Sequence, residues 1–235
     1  GVTPMSQQKQ QIQRSESFPV GALLALAGGF LDAYTYLSRG GVFANAQTGN
    51  MVLLGIRLAE RNWGGAARYL IPILAFAAGV LLAEWIQHKL KHRTDVHWRQ
   101  VVLLLEIALL LVIGFVPDGD WNSAVNIAIS FVCALQVEAF RTMHGLSYAT
   151  TMCTGNLRSG TESLFLYLQT KNRVLLQNGM KYYAIILIFI LGAVLGVFLT
   201  GWIAERAVWV PSGLLIVVFL LLFQRAPEQP FTPQK

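Results

Sequence analysis

The sequence predicts an all-α integral membrane protein, with six transmembrane helices forming two inverted three-helix repeats, each carrying a half-helix capped by Thr-Gly-Asn. Three observations lead there. Of the 235 residues, 54% are apolar and only 13% charged, against roughly 45–50% and about 25% in globular domains. Six stretches approach the ~20 apolar residues that a helix needs to cross hydrocarbon, where no water satisfies exposed backbone groups. The chain also matches itself, since Thr48-Gly49-Asn50 recurs as Thr154-Gly155-Asn156, 106 positions later.

The predicted spans are 20–37, 69–86, 101–116, 124–142, 182–203 and 208–223. The third and sixth are short and require a tilted or thinned bilayer around them. Orientation follows from Lys and Arg placement. With the N-terminus inside, thirteen basic residues fall on inner segments, and five, Arg39, Arg57, Arg61, Arg68 and Arg206, fall on outer ones. That bias puts both termini in the cytoplasm, and the acidic turn Pro117-Asp118-Gly119-Asp120 suits an outer loop. Four of the five outer positives cluster between Arg39 and Arg68, which sets that segment apart from an ordinary loop.

At the 106-residue offset Asp32-Ala33 also falls on Glu138-Ala139, and at an offset of 113 Arg68-Tyr69, Phe76 and Gly79 fall on Lys181-Tyr182, Phe189 and Gly192. Three spans per copy is an odd number, so the second copy enters the membrane from the opposite side. Secondary transporters commonly use this design, with the substrate near the midplane where interrupted helices meet. The division is a cytoplasmic tail over 1–18, a first repeat over 19–117, a second over 121–225 and a tail over 226–235. Residues 1–17 are polar, with no signal-peptide core, and read as a disordered tail.

Each Thr-Gly-Asn precedes a helical stretch too short or too charged for a comfortable span, 51–60 and 157–168. Thr and Asn favour helix N-caps, and Gly lets the backbone bend sharply and approach a ligand. Two electropositive helix ends facing each other from opposite leaflets would bind an anion or a carboxylate. Thr48, Gly49, Asn50, Thr154, Gly155 and Asn156 are therefore the expected solute-binding residues, with Asn45 and Gln47 lining the approach. The alternative has each element capping an interfacial amphipathic helix, with Arg57, Arg61, Arg158 and Lys171 at head groups.

Asp32 and Glu138 stand inside apolar spans, where a central charge costs at least roughly 2.5–3.5 kcal/mol. They are either coupling carboxylates or structural anchors bonded to a Thr-Gly-Asn backbone or to an arginine. Arg141, one turn from Glu138, and Arg158 are the possible charge partners. Glu106 stands alone and is the weaker case. Gly79, Gly192 and Gly196 suit close helix packing. The distant Cys133 and Cys153 suggest neither a disulfide framework nor zinc, and a single His144 makes no metal site. His88, His92 and His97, among Lys89, Lys91 and Arg93, suit anionic lipid.

The motifs Asp32-Ala33-x-x-Tyr36, Phe43-x-Asn45-x-Gln47-Thr48-Gly49-Asn50 and Cys153-Thr154-Gly155-Asn156-Leu157-Arg158-x-Gly160 resemble those of the YoaK-like bacterial membrane proteins. The resemblance spans nearly all of the chain from Pro19 to Arg225. It implies a bacterial inner-membrane location and a six-span fold, and it brings no activity or catalytic residue. The expected function is a channel or secondary transporter for a small polar or anionic solute. The alternative is a non-transporting scaffold acting through its basic inner loops. With no Ser/His pair, HExxH, metal cluster or phosphate loop, no enzyme is expected. No catalytic residue, metal or cofactor is expected either. The expected partners are the bilayer, the solute and possibly further copies of the chain. Nucleic acid is not one, because the basic residues lie in loops between spans.

Overall fold

The long apolar runs become helices, the one conformation in which a lone segment satisfies its own backbone groups away from water. The computed structural model describes residues 17–90, 98–143, 146–147, 151 and 153–223. Both expected tails apart from residues 17–18, the basic loop containing Lys91, His92, Arg93 and His97, and His144 lie outside them. Among the described residues the order is α1 (Phe18–Ser38), α2 (Gln47–Ala59), α3 (Trp63–Leu90), α4 (Trp98–Ile113), α5 (Asn122–Ala139), α6 (Cys153–Thr170), α7 (Arg173–Ile203) and α8 (Trp209–Phe223). A 3-10 turn (Ala204–Val208) joins the last two helices, and β1 (Thr142–Met143) pairs with β2 (Leu146–Ser147) in a two-residue antiparallel ladder between α5 and α6.

The protein is all-α apart from that ladder. Helices α1, α3, α5 and the run Arg173–Leu222 are long and apolar enough to cross a membrane. At 16 and 15 residues, α4 and α8 extend only about 22–24 Å at 1.5 Å per residue. They pack against each other and against α5 and α1 respectively, so the two short helices share one side of the bundle. Leu74, Leu81 and Trp85 on α3, and Leu187, Phe198 and Trp202 on α7, are exposed. An apolar surface of that extent requires a lipid surround.

The most extensive contacts join α1 to α7 and α3 to α5, and each of these pairs includes one helix from either half of the chain. Glycine makes the approach possible. A Cβ on Gly192 of α7 would strike the carbonyl oxygen of Leu26 in α1, and one on Gly79 of α3 would strike that of Phe131 in α5. Gly29 meets the backbone of Phe189 from the opposite direction. The core runs through Leu24, Leu31, Leu103, Leu110, Ile129 and Leu215, all fully buried.

The half-helices end alike. Arg61 after α2 and Lys171 after α6 take left-handed φ values of 57° and 55°, which closes a helix by turning its last carbonyls back. An asparagine follows in each case. Asn62 Oδ1 accepts from Gly65 N–H at 2.8 Å and Asn172 Oδ1 from Val174 N–H at 3.0 Å, starting α3 and α7.

Of the four basic residues clustered between Arg39 and Arg68, Arg39 is taken inside the fold. It is 1% exposed, and all five of its N–H donors are used without a carboxylate. Nε and Nη2 donate to Tyr34 Oη at 3.0 and 2.7 Å, Nη2 also to Val116 O at 2.9 Å, and Nη1 to Pro117 O at 3.1 Å and Asn122 Oδ1 at 3.2 Å. It therefore clamps the end of α1 to the α4–α5 turn. Tyr34 carries the clamp onward to the carbonyl oxygen of Glu205 at 3.0 Å.

Gly192→Val should destabilise the protein by about 1–3 kcal/mol through forced separation of α1 and α7. Gly213→Ala, whose Cβ would meet nothing within 4 Å, should leave the protein near wild type. Thermal melting of both variants in detergent checks this, and equal melting would mean that the α1–α7 approach is not tight.

Candidate functional site

Helix α1 ends at Ser38 and α2 begins at Gln47, so the chain folds back against α1 before the half-helix starts. Its irregular backbone is held from two directions. From α1, Asp32 Oδ1 accepts from the N–H of Asn45 at 2.6 Å and of Ala46 at 3.4 Å. From α2, Asn50 brackets Phe43, taking Phe43 N–H on Oδ1 at 3.0 Å and donating from Nδ2 to Phe43 O at 2.8 Å and Gln47 Oε1 at 3.0 Å. Gln47 Nε2 in turn donates to Ala44 O at 2.9 Å.

The expected cap role is thereby corrected for the first element. Thr48, Gly49 and Asn50 lie inside the first turn of α2, whose cap position is Ala46 with no side-chain cap bond. The anion placed at this electropositive helix end is Asp32. Asn50 is fully buried and acts as a loop brace, while Thr48 is exposed and Gly49 lies under the Phe43 ring. Of the two roles weighed for Asp32, its geometry is that of an anchor on the half-helix backbone.

In the second half α6 begins at Cys153, so Thr154, Gly155 and Asn156 again lie in a first helical turn. Asn156 is 2% exposed and Asn50 0%, which gives the two asparagines the same burial at the same helical position. Thr154 and Gly155 are exposed, and a Cβ on Gly155 would meet nothing within 4 Å. Glu138 does not repeat the part of Asp32. Its Oε1 stands 3.0 Å from Arg141 Nε but out of line with the N–H, making an ion pair without a hydrogen bond. Arg141 also reaches Glu84 Oε1 of α3 at 3.8 Å. Arg158 is exposed on α6.

The two interrupted segments meet. Asn45 Nδ2 donates to Gly28 O at 3.3 Å. A Cβ on Gly28 would strike Thr151 Cγ2 and touch both Asn45 Nδ2 and Phe189 Cε2 at 3.6 Å. Gly28 is near the midpoint of α1, so Asn45 and Thr151, each two residues before its half-helix, converge at mid-helix. Sequence reasoning placed Thr151 only within a polar tract, although the 106-residue offset lays Asn45 on Thr151.

A separate polar cavity of about 280 Å³ lies where α2 passes into α3, lined by Arg57, Asn62, Gly65, Arg68 and Tyr69. Arg57 pairs there with Glu60 at 2.7 Å. Among the described residues no group of three His, Cys, Asp or Glu side chains is placed to hold a metal ion.

A family model described as "Protein of unknown function (DUF1275)" matches residues 20–221. The UPF0700 transmembrane protein YoaK of Bacillus subtilis (strain 168) is 25% identical over 207 residues, covering 85% of this chain and 91% of that one. No solved structure matches.

Asp32→Ala should destabilise the protein by about 1–3 kcal/mol, because two backbone N–H groups lose their acceptor. Asp32→Asn, which keeps an acceptor oxygen, should retain most of the stability. Asn50→Ala should cost at least as much as Asp32→Ala. Melting of the three variants checks the ranking, and an unchanged Asp32→Ala would remove the anchoring role.

Proposed function

Because the chain belongs to the DUF1275 family of membrane proteins of unknown function, with no activity to inherit, we propose from the junction itself that it is a channel or secondary transporter for a small polar or anionic solute. The carrying observation is the convergence of Asn45 and Thr151 on Gly28. Irregular backbone at depth is tolerated where it lines a cavity or is buried in protein, and secondary transporters put their substrate where two such breaks meet.

The inverted-repeat reading has independent support beyond the sequence offsets. Exchanging α1 with α5 and α3 with α7 turns the α1–α7 interface into the α5–α3 interface, and Gly79 and Gly192 meet carbonyls of the opposite first span. The turns at Arg61-Asn62 and Lys171-Asn172 add a third register, offset by 110. On this reading α1, α3, α4, α5, α7 and α8 span a bacterial inner membrane with both termini cytoplasmic, and α2 and α6 enter from opposite sides. Such a body lies in the lipid bilayer, and the reading assigns it no enzymatic step.

The halves are not equivalent for binding. Asp32 occupies the amide end of α2, whereas the first turn of α6 leaves Thr154 and Gly155 uncovered by protein. The solute's acceptor group therefore belongs at Thr154-Gly155, with Asn45 and Thr151 beside it. The basic outer cavity with Arg57 and Arg68 favours an anion on approach.

Two experiments test this. Cysteines placed as Asn45→Cys and Thr151→Cys in a background lacking Cys133 and Cys153 should be joined by a short thiol cross-linker, while Asn45→Cys with Leu166→Cys should not. In proteoliposomes screened with small carboxylates and neutral polar solutes, Gly155→Leu should cut flux at least about tenfold, roughly 1.4 kcal/mol of barrier, with melting unchanged. Loss of stability with intact flux would leave the half-helices as packing elements only.

A further inference from the structure

Glu106, the acid that stands alone in the sequence, is the least compensated group of the described core. It lies in α4 at 0% exposure, and neither carboxyl oxygen has a hydrogen-bond partner. Ser130 of α5, also 0% exposed, has a partnerless hydroxyl, and Asn126, 2% exposed, has a partnerless Oδ1 although its Nδ2 donates to Arg39 O at 2.6 Å. These unmatched oxygens share one helix pair. Arg99 Nε donates to Ala139 O at 2.8 Å at one end of the α4–α5 hairpin, and the turn between Ile113 and Asn122 closes the other. Counting seven residues inward from both ends sets Glu106 level with residues 129–132 of α5, within a helical turn of Ser130 and Cys133.

We propose that Glu106, with Ser130 on the facing helix, forms an intramembrane proton-binding site, one proton per chain. An ionised carboxylate without a partner at this depth is costly, and a carboxylic acid with a hydroxyl acceptor beside it is not. On loading, a hydronium ion gives its proton to the Glu106 carboxylate and leaves as water, and a turn of the Glu106 side chain, which is not bonded to Ser130 in this structure, brings the new O–H onto Ser130 Oγ. On release the same proton returns to water.

The surrounding charges say which way it travels. Arg39 closes the outer end of the stripe Asn122, Asn126, Ser130, and a buried arginine there repels protons. Towards the other end of α5, Gln136 Nε2 stands 3.5 Å from Leu24 O of α1. Helix α8 brings no titratable side chain over Trp209–Phe223. The acids of α3 and α5, Glu84 and Glu138, are engaged with Arg141. Exchange is therefore directed away from the Arg39 end. Asp32, bound to two amides, is the anchor and Glu106 the exchanging acid. A role for that proton in coupling rests on the transport reading, whereas the site itself does not.

Infrared difference spectra of the purified full chain in nanodiscs, taken across a pH titration, test the site. A protonated-carboxyl band should be present at low pH and lost on alkalinisation. It should be absent in Glu106→Gln, shifted in frequency in Ser130→Ala, and retained in Asp32→Asn. Sodium added at constant pH should leave it unchanged. Persistence of the full band in Glu106→Gln, no band at any pH, or its removal by sodium would each overturn the proposal. If Glu106→Gln fails to fold, the frequency shift in Ser130→Ala decides, and an unshifted band counts against the site. A Glu106 band in a protein that passes no solute would sink the transport reading and leave the proton site standing.

Discussion

Backbone amides that leave a helix inside packed protein have no water to turn to, and the arrangement of this chain follows from how they are answered. Between Ser38 and Gln47 three of them are met by side chains: Asp32 takes Asn45 and Ala46, and Asn50 takes Phe43 from both its N–H and its C=O. At the outer end the carbonyls of Val116 and Pro117 are met by Arg39. Each solution uses a group that would be expensive in hydrocarbon by itself, and each becomes tolerable because the unpaired backbone needs it as much as it needs the backbone.

This reciprocity separates acids that look alike in the sequence. Asp32 and Glu138 occupy matching places at the 106-residue offset, yet one is spent on a half-helix end and the other on an ion pair with an exposed arginine. An aspartate one turn beyond the middle of α1 reaches a loop folded back on its own helix. Glu138 is next to the C-terminal residue of α5, where the chain departs immediately and Arg141 is nearer. Matching positions in the sequence do not impose matching chemistry. That asymmetry directs the solute reading toward Thr154 and Gly155 rather than to both ends equally.

The apolar stretches were readable as helices because twenty apolar residues in a row admit few other uses, and each predicted stretch overlaps a helix, with α1, α3, α5 and the run Arg173–Leu222 long and apolar enough to cross a membrane. Extension came mainly at the N-terminal ends of α3 and α7. Helix α7 begins at Arg173 and not at residue 182 because its first turns pack on α6 and carry polar residues that hydropathy discounts. The Thr-Gly-Asn motif was visible, but its role was misread locally. Caps are short-range, whereas Asp32 answers its loop across thirteen residues. Arg39 drew notice as an outer charge, but its five bonds reach partners as far as 83 positions away, which no local pattern encodes. Glu106 was discounted for lacking a neighbour. That isolation is what the fold preserves.

The packing also constrains which parts can move together. Helices α1, α6 and α7 pack as one group and α2, α3 and α5 as another, with glycines locking α1 on α7 and α3 on α5. Each group combines helices from both halves of the sequence, so the chain is interlocked and its halves cannot rock as separate bodies. Where the groups meet, α1 and α5 touch only sparsely, and the contact they have is polar, with Gln136 Nε2 3.5 Å from Leu24 O. Tightly packed apolar surfaces resist graded deformation, so relative motion is directed to the seam with the fewest contacts.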